Sequence, residues 1–253
     1  MKIMSHKNWT ETYKSLDVIW RKASHNFSPK VCYIYVQGEF GFLPYICASG
    51  LAGKITPICE IMSENMSVEP FNRLPNPVPP SWGLTQIEKD VVILSINHHY
   101  PMAMMPESNP DIWRKSYSLM RDTLHFLSQH GCQQIVFVTS MTITEAEHQA
   151  DLYVYDIKNN IHPESPLMLA LPAWAMPYMW DGMGKSASVL AISQDEGQFI
   201  DMDAYKLLRE YLIAVGLDYD DSHAERTMKM VQMVQQAYDQ STTHEGFGGS
   251  DLV

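Results

Sequence analysis

Short apolar runs rich in β-branched and aromatic residues recur along this chain and alternate with longer segments of helical spacing. The first run, VCYIYV at 31–36, is apolar at successive positions, which is typical of a strand buried on both faces of a sheet. Pro57 disfavours a central position for the second run, because proline donates no ladder hydrogen bond. Five further runs predict strands at 54–62, 90–96, 134–139, 152–157 and 188–193.

The segments between the strands have the 3.6-residue spacing of amphipathic helices. Gly131 and Gly216 follow two of them as C-terminal caps, and Asp201 is the expected N-cap of the helix that ends before Gly216. Strands that alternate with helices of this kind indicate crossover connections. We therefore predict an α/β fold with a mostly parallel central sheet and helices on both faces. The helices are predicted at 42–51, 112–130, 201–215 and 222–238.

The domain organisation follows from length and from the distribution of proline and glycine. The chain has 253 residues, which one hydrophobic core can serve. The proline-rich segments 69–83 and 161–177 are expected to be surface excursions within that unit. Residues 241–253 contain three glycines and little to bury. We predict one α/β domain at 1–240 and a flexible C-terminal tail at 241–253.

Charge and cysteine usage exclude several classes of function. The net charge is −11 and the 18 Lys and Arg form no basic stripe, so nucleic acid and anionic membranes are not expected partners. The N-terminal residues show no apolar stretch typical of a secretory signal, which predicts a cytoplasmic protein. The four cysteines lie in apolar segments without a Cys-x-x-Cys pair, as expected of reduced, buried thiols.

A ligand crevice is one candidate site, at the predicted carboxyl ends of the strands. Gly38 and Gly41 stand at a strand-to-helix junction where backbone N–H groups can approach an anion, although a tight turn explains the same glycines. His98 and His99 follow the strand at 90–96, and Ser140 ends the strand at 134–139. Structural histidines are the alternative, and the pattern completes no metal site. We predict no metal and no cofactor.

Ser140 is also the one serine in this region that could suggest a nucleophile, since Glu145 and His148 follow it. A Gly-x-Ser-x-Gly turn is lacking, and 142–148 equally predicts the start of a short helix. We therefore predict no catalytic residue.

A concentration of methionine and aromatic residues is the second candidate site. Such a cluster must be buried, either in the core of the chain or against a protein partner, because methionine and aromatic side chains are enriched at adaptable interfaces. Both outcomes stay open at this point. The residues are Trp174, Met176, Met179, Trp180 and Met183.

Several segments in their order along the chain resemble the proteasome assembly chaperone family. They include the strand with Gly38 and Gly41, the helix that ends before Gly131, and Asp181-Gly182-Met183-Gly184 before a strand. The segment DMDAYKLL at 201–208 is similar to the family pattern Asp-x-x-Ala-Ala-x-x-Leu-Leu, with Tyr205 in place of the second alanine.

This resemblance implies a three-layer core like that of phosphorylases and hydrolases, and a non-enzymatic, self-associating scaffold for proteasome α-type subunits. Family members that act on the proteasome often end in hydrophobic-Tyr-any. Here Asp251-Leu252-Val253 stands at that place and departs from the pattern, because it lacks the tyrosine and carries a charge where an apolar contact is expected. By a separate route, Phe247 and Leu252 on the flexible tail are the residues expected to anchor in a groove of a partner. The alternative is a binder of nucleosides or phosphates, or a hydrolase- or phosphorylase-like enzyme, that uses the crevice.

Overall fold

A computed structural model describes residues 9–21, 27–36, 43–51, 56–63, 82–96, 110–143, 150–158, 175–195 and 200–245. These residues form nine strands and five helices. The strands are β1 (Trp9–Tyr13), β2 (Leu16–Trp20), β3 (Val31–Val36), β4 (Thr56–Met62), β5 (Trp82–Glu88), β6 (Val91–Ile96), β7 (Gln134–Ile143), β8 (Leu152–Asp156) and β9 (Ser186–Asp195). The helices are α1 (Leu43–Leu51), α2 (Pro110–Gln129), α3 (Ala175–Gly182), α4 (Met202–Ala214) and α5 (Asp221–Glu245).

All strands join one mixed sheet in the order β1-β2-β4-β5-β6-β3-β7-β9-β8. Its centre is parallel, because β3 pairs with β6 and β7, and β7 pairs with β9. The five other pairs of described strands are antiparallel. The α/β class is confirmed, and the prediction of a mostly parallel sheet is wrong. The likeness to phosphorylases and hydrolases remains a prediction.

Two-residue hairpins account for two of the five antiparallel pairs, β1–β2 and β5–β6. Tyr13 pairs with Leu16 across a two-residue turn in which Lys14 has a φ of +51°, a left-handed conformation that hairpin turns require. Lys89 and Asp90 likewise join β5 to β6. Two-residue turns bring the chain back beside itself, so each produces an antiparallel pair. β5 begins inside the excursion predicted at 69–83, and the structure corrects that boundary.

Pro57 lies inside the sheet and not at its edge, because β4 is paired on both sides. The pairing with β2 begins only at Cys59, and the register with β5 shifts between Pro57 and Cys59. The missing N–H of Pro57 therefore interrupts no regular ladder toward β2.

The two faces of the sheet carry separate hydrophobic cores. On one face α2 and α3 cover the sheet, with Leu124, Phe126 and Trp180 fully buried. On the other face α1, α4 and α5 cover it, with Ile46 and Leu208 fully buried. Helices thus lie on both faces, as the sequence predicts.

Several local predictions are confirmed. Oδ1 of Asp201 accepts hydrogen bonds from the N–H groups of Asp203 and Ala204 at 3.0 and 3.1 Å, as an N-cap does. Gly131 follows α2 with a φ of +91°. The four cysteines, Cys32, Cys47, Cys59 and Cys132, are free and buried.

Two predicted boundaries differ from the structure. β7 continues to Ile143 in register with β9, so 142–143 are strand and not the start of a helix. α5 continues to Glu245, past the helix end predicted at 238. The tail beyond that helix lies outside the described residues.

A buried carboxylate anchors the β1–β2 hairpin to α2. Asp122 is 2% exposed and accepts hydrogen bonds from Ser15 Oγ at 2.5 Å and from Arg121 Nε at 3.1 Å. Lys14 Nζ lies 4.0 Å from the same carboxylate. Burial raises the pKa of Asp122, but the hydrogen bonds and the two cations outweigh this effect and hold the pKa below its usual value.

We expect Asp122→Asn to lower the free energy of unfolding at pH 7 by about 1–3 kcal/mol, the cost of breaking a buried hydrogen-bonded network. A lowered folded-state pKa stabilises the protein above the unfolded-state pKa of about 3.9, and this contribution is lost as pH falls through the folded-state value. The difference between wild type and variant should therefore shrink below about pH 4. Urea denaturation at pH 7 and pH 3 measures it.

Asp90→Asn is the control, since Asp90 pairs with Lys30 at 2.9 Å on an exposed part of the surface. It should change stability by at most about 1 kcal/mol. Equal losses for both variants would contradict the anchoring role of Asp122.

Gly50 allows α1 to meet the segment between α4 and α5. A Cβ at Gly50 would overlap with the ring of Tyr219, and Gly50 O accepts a hydrogen bond from Asp220 N at 2.9 Å. The Tyr219 hydroxyl lies 3.3 Å from that of Tyr205 in α4. Only glycine therefore fits the contact that locks these three helices together.

Gly50→Ala should destabilise the fold by about 1–3 kcal/mol, because the added methyl group must displace a packed ring. The matched control is Gly182→Ala in α3, where an added Cβ would meet nothing within 4 Å. That control should be neutral or slightly stabilising, since alanine favours a helix by about 1 kcal/mol. Thermal unfolding of the two variants decides, and equal melting temperatures would refute the close contact.

Candidate functional site

The predicted site residues fall into described and undescribed parts of the chain. From the ligand crevice the structure describes Ser140, which is buried at the carboxyl end of β7. From the methionine and aromatic cluster it describes four residues, all in or just after α3. Gly38, Gly41, His98, His99, Trp174, Phe247 and Leu252 lie outside the described residues.

The four described cluster residues divide into two buried ones, Met176 and Trp180, which we call the floor, and two partly buried ones, Met179 and Met183, which we call the rim. Met176 and Trp180 are fully buried between α3 and the sheet, so they belong to the core of this chain and have no area to offer a partner. Met179 and Met183 are partly buried and line a surface groove. Among the described members of this cluster, only Met179 and Met183 are placed where a partner could touch them.

Three contacts fix Trp180 of the floor to Lys185 and to the backbone between α2 and β7. Trp180 Nε1 donates a hydrogen bond to Gln133 O at 3.4 Å. Lys185 Nζ lies 4.9 Å from the centre of the Trp180 ring and donates to Cys132 O. The cation, the ring and the backbone between α2 and β7 therefore form one packed unit, which holds α3 in a fixed position.

The end of α3 is also specified locally. Lys185 N bonds to Trp180 O at 3.4 Å, and Gly184 N bonds to Asp181 O at 2.8 Å, which is the pattern of a Schellman cap. Gly184 has a φ of +75°, a conformation that favours glycine. The cap turns the chain into β9 immediately after the groove.

The groove lies between α2 and α3 and has a volume of about 510 Å³. We call it the α2–α3 groove. Two of its walls are exposed aromatic residues, Tyr117 at 49% and Tyr178 at 45% exposure. Such amphipathic rings are typical of docking sites, because they bury large area at a small loss of side-chain entropy. The lining residues are Tyr117, Arg121, Leu124, His125, Ala175, Tyr178, Met179, Gly182 and Met183.

The α2–α3 groove has a weakly charged lining. Arg121 is half exposed, but its guanidinium already contacts Asp122 at 3.1 Å and Ser118 Oγ at 3.2 Å. The positive charge is thus largely compensated from within α2. Among the described residues, no group of three His, Cys, Asp or Glu side chains converges as a metal site would require. The lining is suited to apolar contact with a polar edge.

Sequence reasoning missed Tyr117, Arg121 and His125 as a set. They recur every four residues along α2, so they form one stripe beside the buried stripe of the helix. This four-residue spacing is the sequence feature from which the stripe could have been predicted. Tyr178 lies within the same stretch of sequence, and only the structure separates it from its buried neighbour Trp180.

Truncation of a buried floor residue and of an exposed residue of the groove should have different effects on stability. Trp180→Ala should lower the free energy of unfolding by about 3–5 kcal/mol, because it leaves a cavity in the core. Tyr178→Ala removes a ring that is 45% exposed and should change stability by about 0.5 kcal/mol or less. Chemical denaturation measures both, and similar losses would contradict the division.

Solved structures share this architecture. PbaB from Pyrococcus furiosus, an archaeal proteasome activator, superimposes with a TM-score of 0.62 at 12% identity, over 89% of this chain and 99% of that one. PbaA from the same organism, an archaeal homolog of proteasome-assembly chaperone, gives 0.59 at 12% identity, over 91% and 99%. The chain has the fold of these proteins.

A proteasome-assembly chaperone homologue from Mycobacterium tuberculosis adds a bacterial case, with a TM-score of 0.54 at 13% identity over 87% of this chain and 96% of that one. The sequence matches no protein-family model and no curated protein. The resemblance found in the sequence is thus confirmed at the level of the fold. Across the described ranges, no helix is both long and apolar enough to cross a bilayer.

Proposed function

We propose that this chain is a non-enzymatic cytoplasmic scaffold that binds proteasome α-type subunits through the α2–α3 groove. The observation that carries the proposal is the α2–α3 groove itself, with its apolar side chains Leu124, Met179 and Met183 and its two exposed tyrosines. An apolar segment of the subunit would bury Tyr117, Tyr178, Met179 and Met183 together.

The chemistry of the lining favours a polypeptide as the occupant. Methionine side chains are flexible and polarisable, so Met179 and Met183 can adapt to different apolar side chains. Tyrosine hydroxyls at the edge of the groove can satisfy backbone groups of an incoming segment while the rings exclude water. A scaffold that holds a subunit transiently needs this combination of apolar contact and a polar edge.

The fold comparisons support the identity of the partner. PbaB is an archaeal proteasome activator, and PbaA is an archaeal homolog of proteasome-assembly chaperone. The net charge of −11 would in addition speed the encounter with a subunit surface of opposite sign. Such steering acts on the association rate, whereas the groove contacts set the lifetime of the complex.

Self-association is the second part of the proposal. Exposed apolar side chains on α4, on its C-cap residue and on α5 support it, since these helices cover the face of the sheet opposite the α2–α3 groove. A second copy that packs there would leave the groove open to a subunit. These side chains are Leu207, Ile213, Val215, Met230 and Met233.

Tyr178→Asp tests the docking site. A charge placed at the edge of the groove should weaken binding to isolated α-type subunits at least about tenfold, because hot-spot aromatics contribute about 2 kcal/mol or more. Met233→Asp is the control, since Met233 is 69% exposed on α5, away from the groove. Isothermal titration of both variants measures the effect, and unchanged affinity of Tyr178→Asp would reject the groove.

Analytical ultracentrifugation at micromolar concentration tests self-association. We expect a mass above the monomer mass of 28.9 kDa for the wild type and a shift toward the monomer for Met230→Asp. A monomer in both samples would remove this part of the proposal without affecting the docking site.

A further inference from the structure

Near the carboxyl ends of β7 and β9, two buried side chains each have a polar atom that makes no hydrogen bond to any described residue. Ser140 and Gln194 are each 3% exposed. Neither Ser140 Oγ nor Gln194 Oε1 has a hydrogen-bond partner among the described residues. Since a buried polar atom without a partner is costly, two of them on adjacent strands require an explanation.

The two side chains lie on the same face of the sheet. In the parallel pairing of β7 with β9, Ser140 lies opposite Ile192, and Thr142 lies opposite Gln194. Side chains alternate between faces along a strand, so Ser140 shares the face of Val138, and Gln194 shares that of Ile192. Val138 and Ile192 both belong to the core under α1 and α4.

The chain topology gives this edge of the sheet the character of a ligand crevice. β3 continues into α1 on one face, whereas its neighbour β6 continues into α2 on the other face. Strands whose connections leave in opposite directions open a crevice at their carboxyl ends. β7 pairs in parallel with β3, so Ser140 lies at the same edge.

A nearby serine shows what a structural hydroxyl looks like in this protein. Ser193 Oγ accepts a hydrogen bond from Asp151 N at 2.8 Å and lies 3.2 Å from Asp151 O, to which it donates. It precedes Gln194 on β9 and faces the other side of the sheet. Ser193 is satisfied within the chain, and Ser140 is not satisfied by any described group.

We propose that the carboxyl ends of β7 and β9 bind an uncharged small molecule that donates a hydrogen bond to Gln194 Oε1 and pairs with the hydroxyl of Ser140. The strand geometry places the two Cα atoms about 8 Å apart, a span that a small ring or a short polyol can bridge. β7 and β9 contain no Lys, Arg or His, so these strands offer no counter-charge to an anion. The site is independent of the α2–α3 groove.

A pair of matched substitutions tests whether Ser140 has a structural partner. In protein refolded without added small molecules, Ser140→Ala should raise the melting temperature by about 2–4 °C, because it removes an unpaired buried group. Ser193→Ala should lower it, because it breaks two hydrogen bonds. If Ser140→Ala lowers the melting temperature as Ser193→Ala does, Ser140 is structural and the proposal fails.

Thermal shift with four probes at millimolar concentration tests the ligand class. Ribose offers hydroxyl groups and uracil offers amide groups, and at least one of them should raise the melting temperature of the wild type by a few degrees. The shift should disappear in Ser140→Ala and in Gln194→Met. The other probes are inorganic phosphate and acetate, which should have no effect.

A shift with the anions only, no shift with any probe, or a shift that both variants retain would overturn the proposal. Asp90→Asn, an exposed substitution at the opposite end of the parallel strands, serves as the remote variant and should retain the response of the wild type.

Discussion

The central strands must be covered on both faces, and the rest of the structure depends on this requirement. In β3 and β7 successive side chains point to opposite cores: Ile34 and Phe137 pack under α2 and α3, whereas Tyr35 and Val138 pack under the layer that contains α1. Burial of apolar area contributes about 25 cal/mol per Å², so neither face can be left to water. The connections of β3 and β6 therefore leave on opposite sides and supply one helical layer each.

The same requirement divides the residues of each covering helix into those that stabilise the fold and those that can contact a partner. On the α2–α3 face, Trp180 completes the core, while Tyr178, two residues earlier on the same helix, faces the groove. On the other face, the contact of Gly50 with Tyr219 holds α1, α4 and α5 together. The outer surfaces of α4 and α5 take no part in this contact. A scaffold needs such surfaces, because they can change contacts without loss of the fold.

The sequence predicts the elements whose signal is local. β3, β6, α2 and the N-cap Asp201 are recognised because burial on both faces, helical spacing and cap chemistry each leave a pattern. The sequence does not predict the hairpin around Lys14, since its turn lacks the Asn-Gly or Asp-Gly signal and the carboxylate that anchors it, Asp122, lies 107 residues beyond Ser15 in the chain. The sequence also does not predict which cluster residues are buried and which are exposed, because methionine and aromatic residues stand at both kinds of position. The sheet order depends on long-range pairing, which no local pattern encodes.

Hydrogen–deuterium exchange of the full chain, with and without isolated proteasome α-type subunits, shows which surface of the chain the subunits cover. We expect slower exchange at 117–125 and 175–184, the segments of α2 and α3 that line the groove, and unchanged exchange in the second half of α5. Protection confined to α5, or no protection on α2 and α3 under conditions in which a complex forms, would contradict docking in the α2–α3 groove.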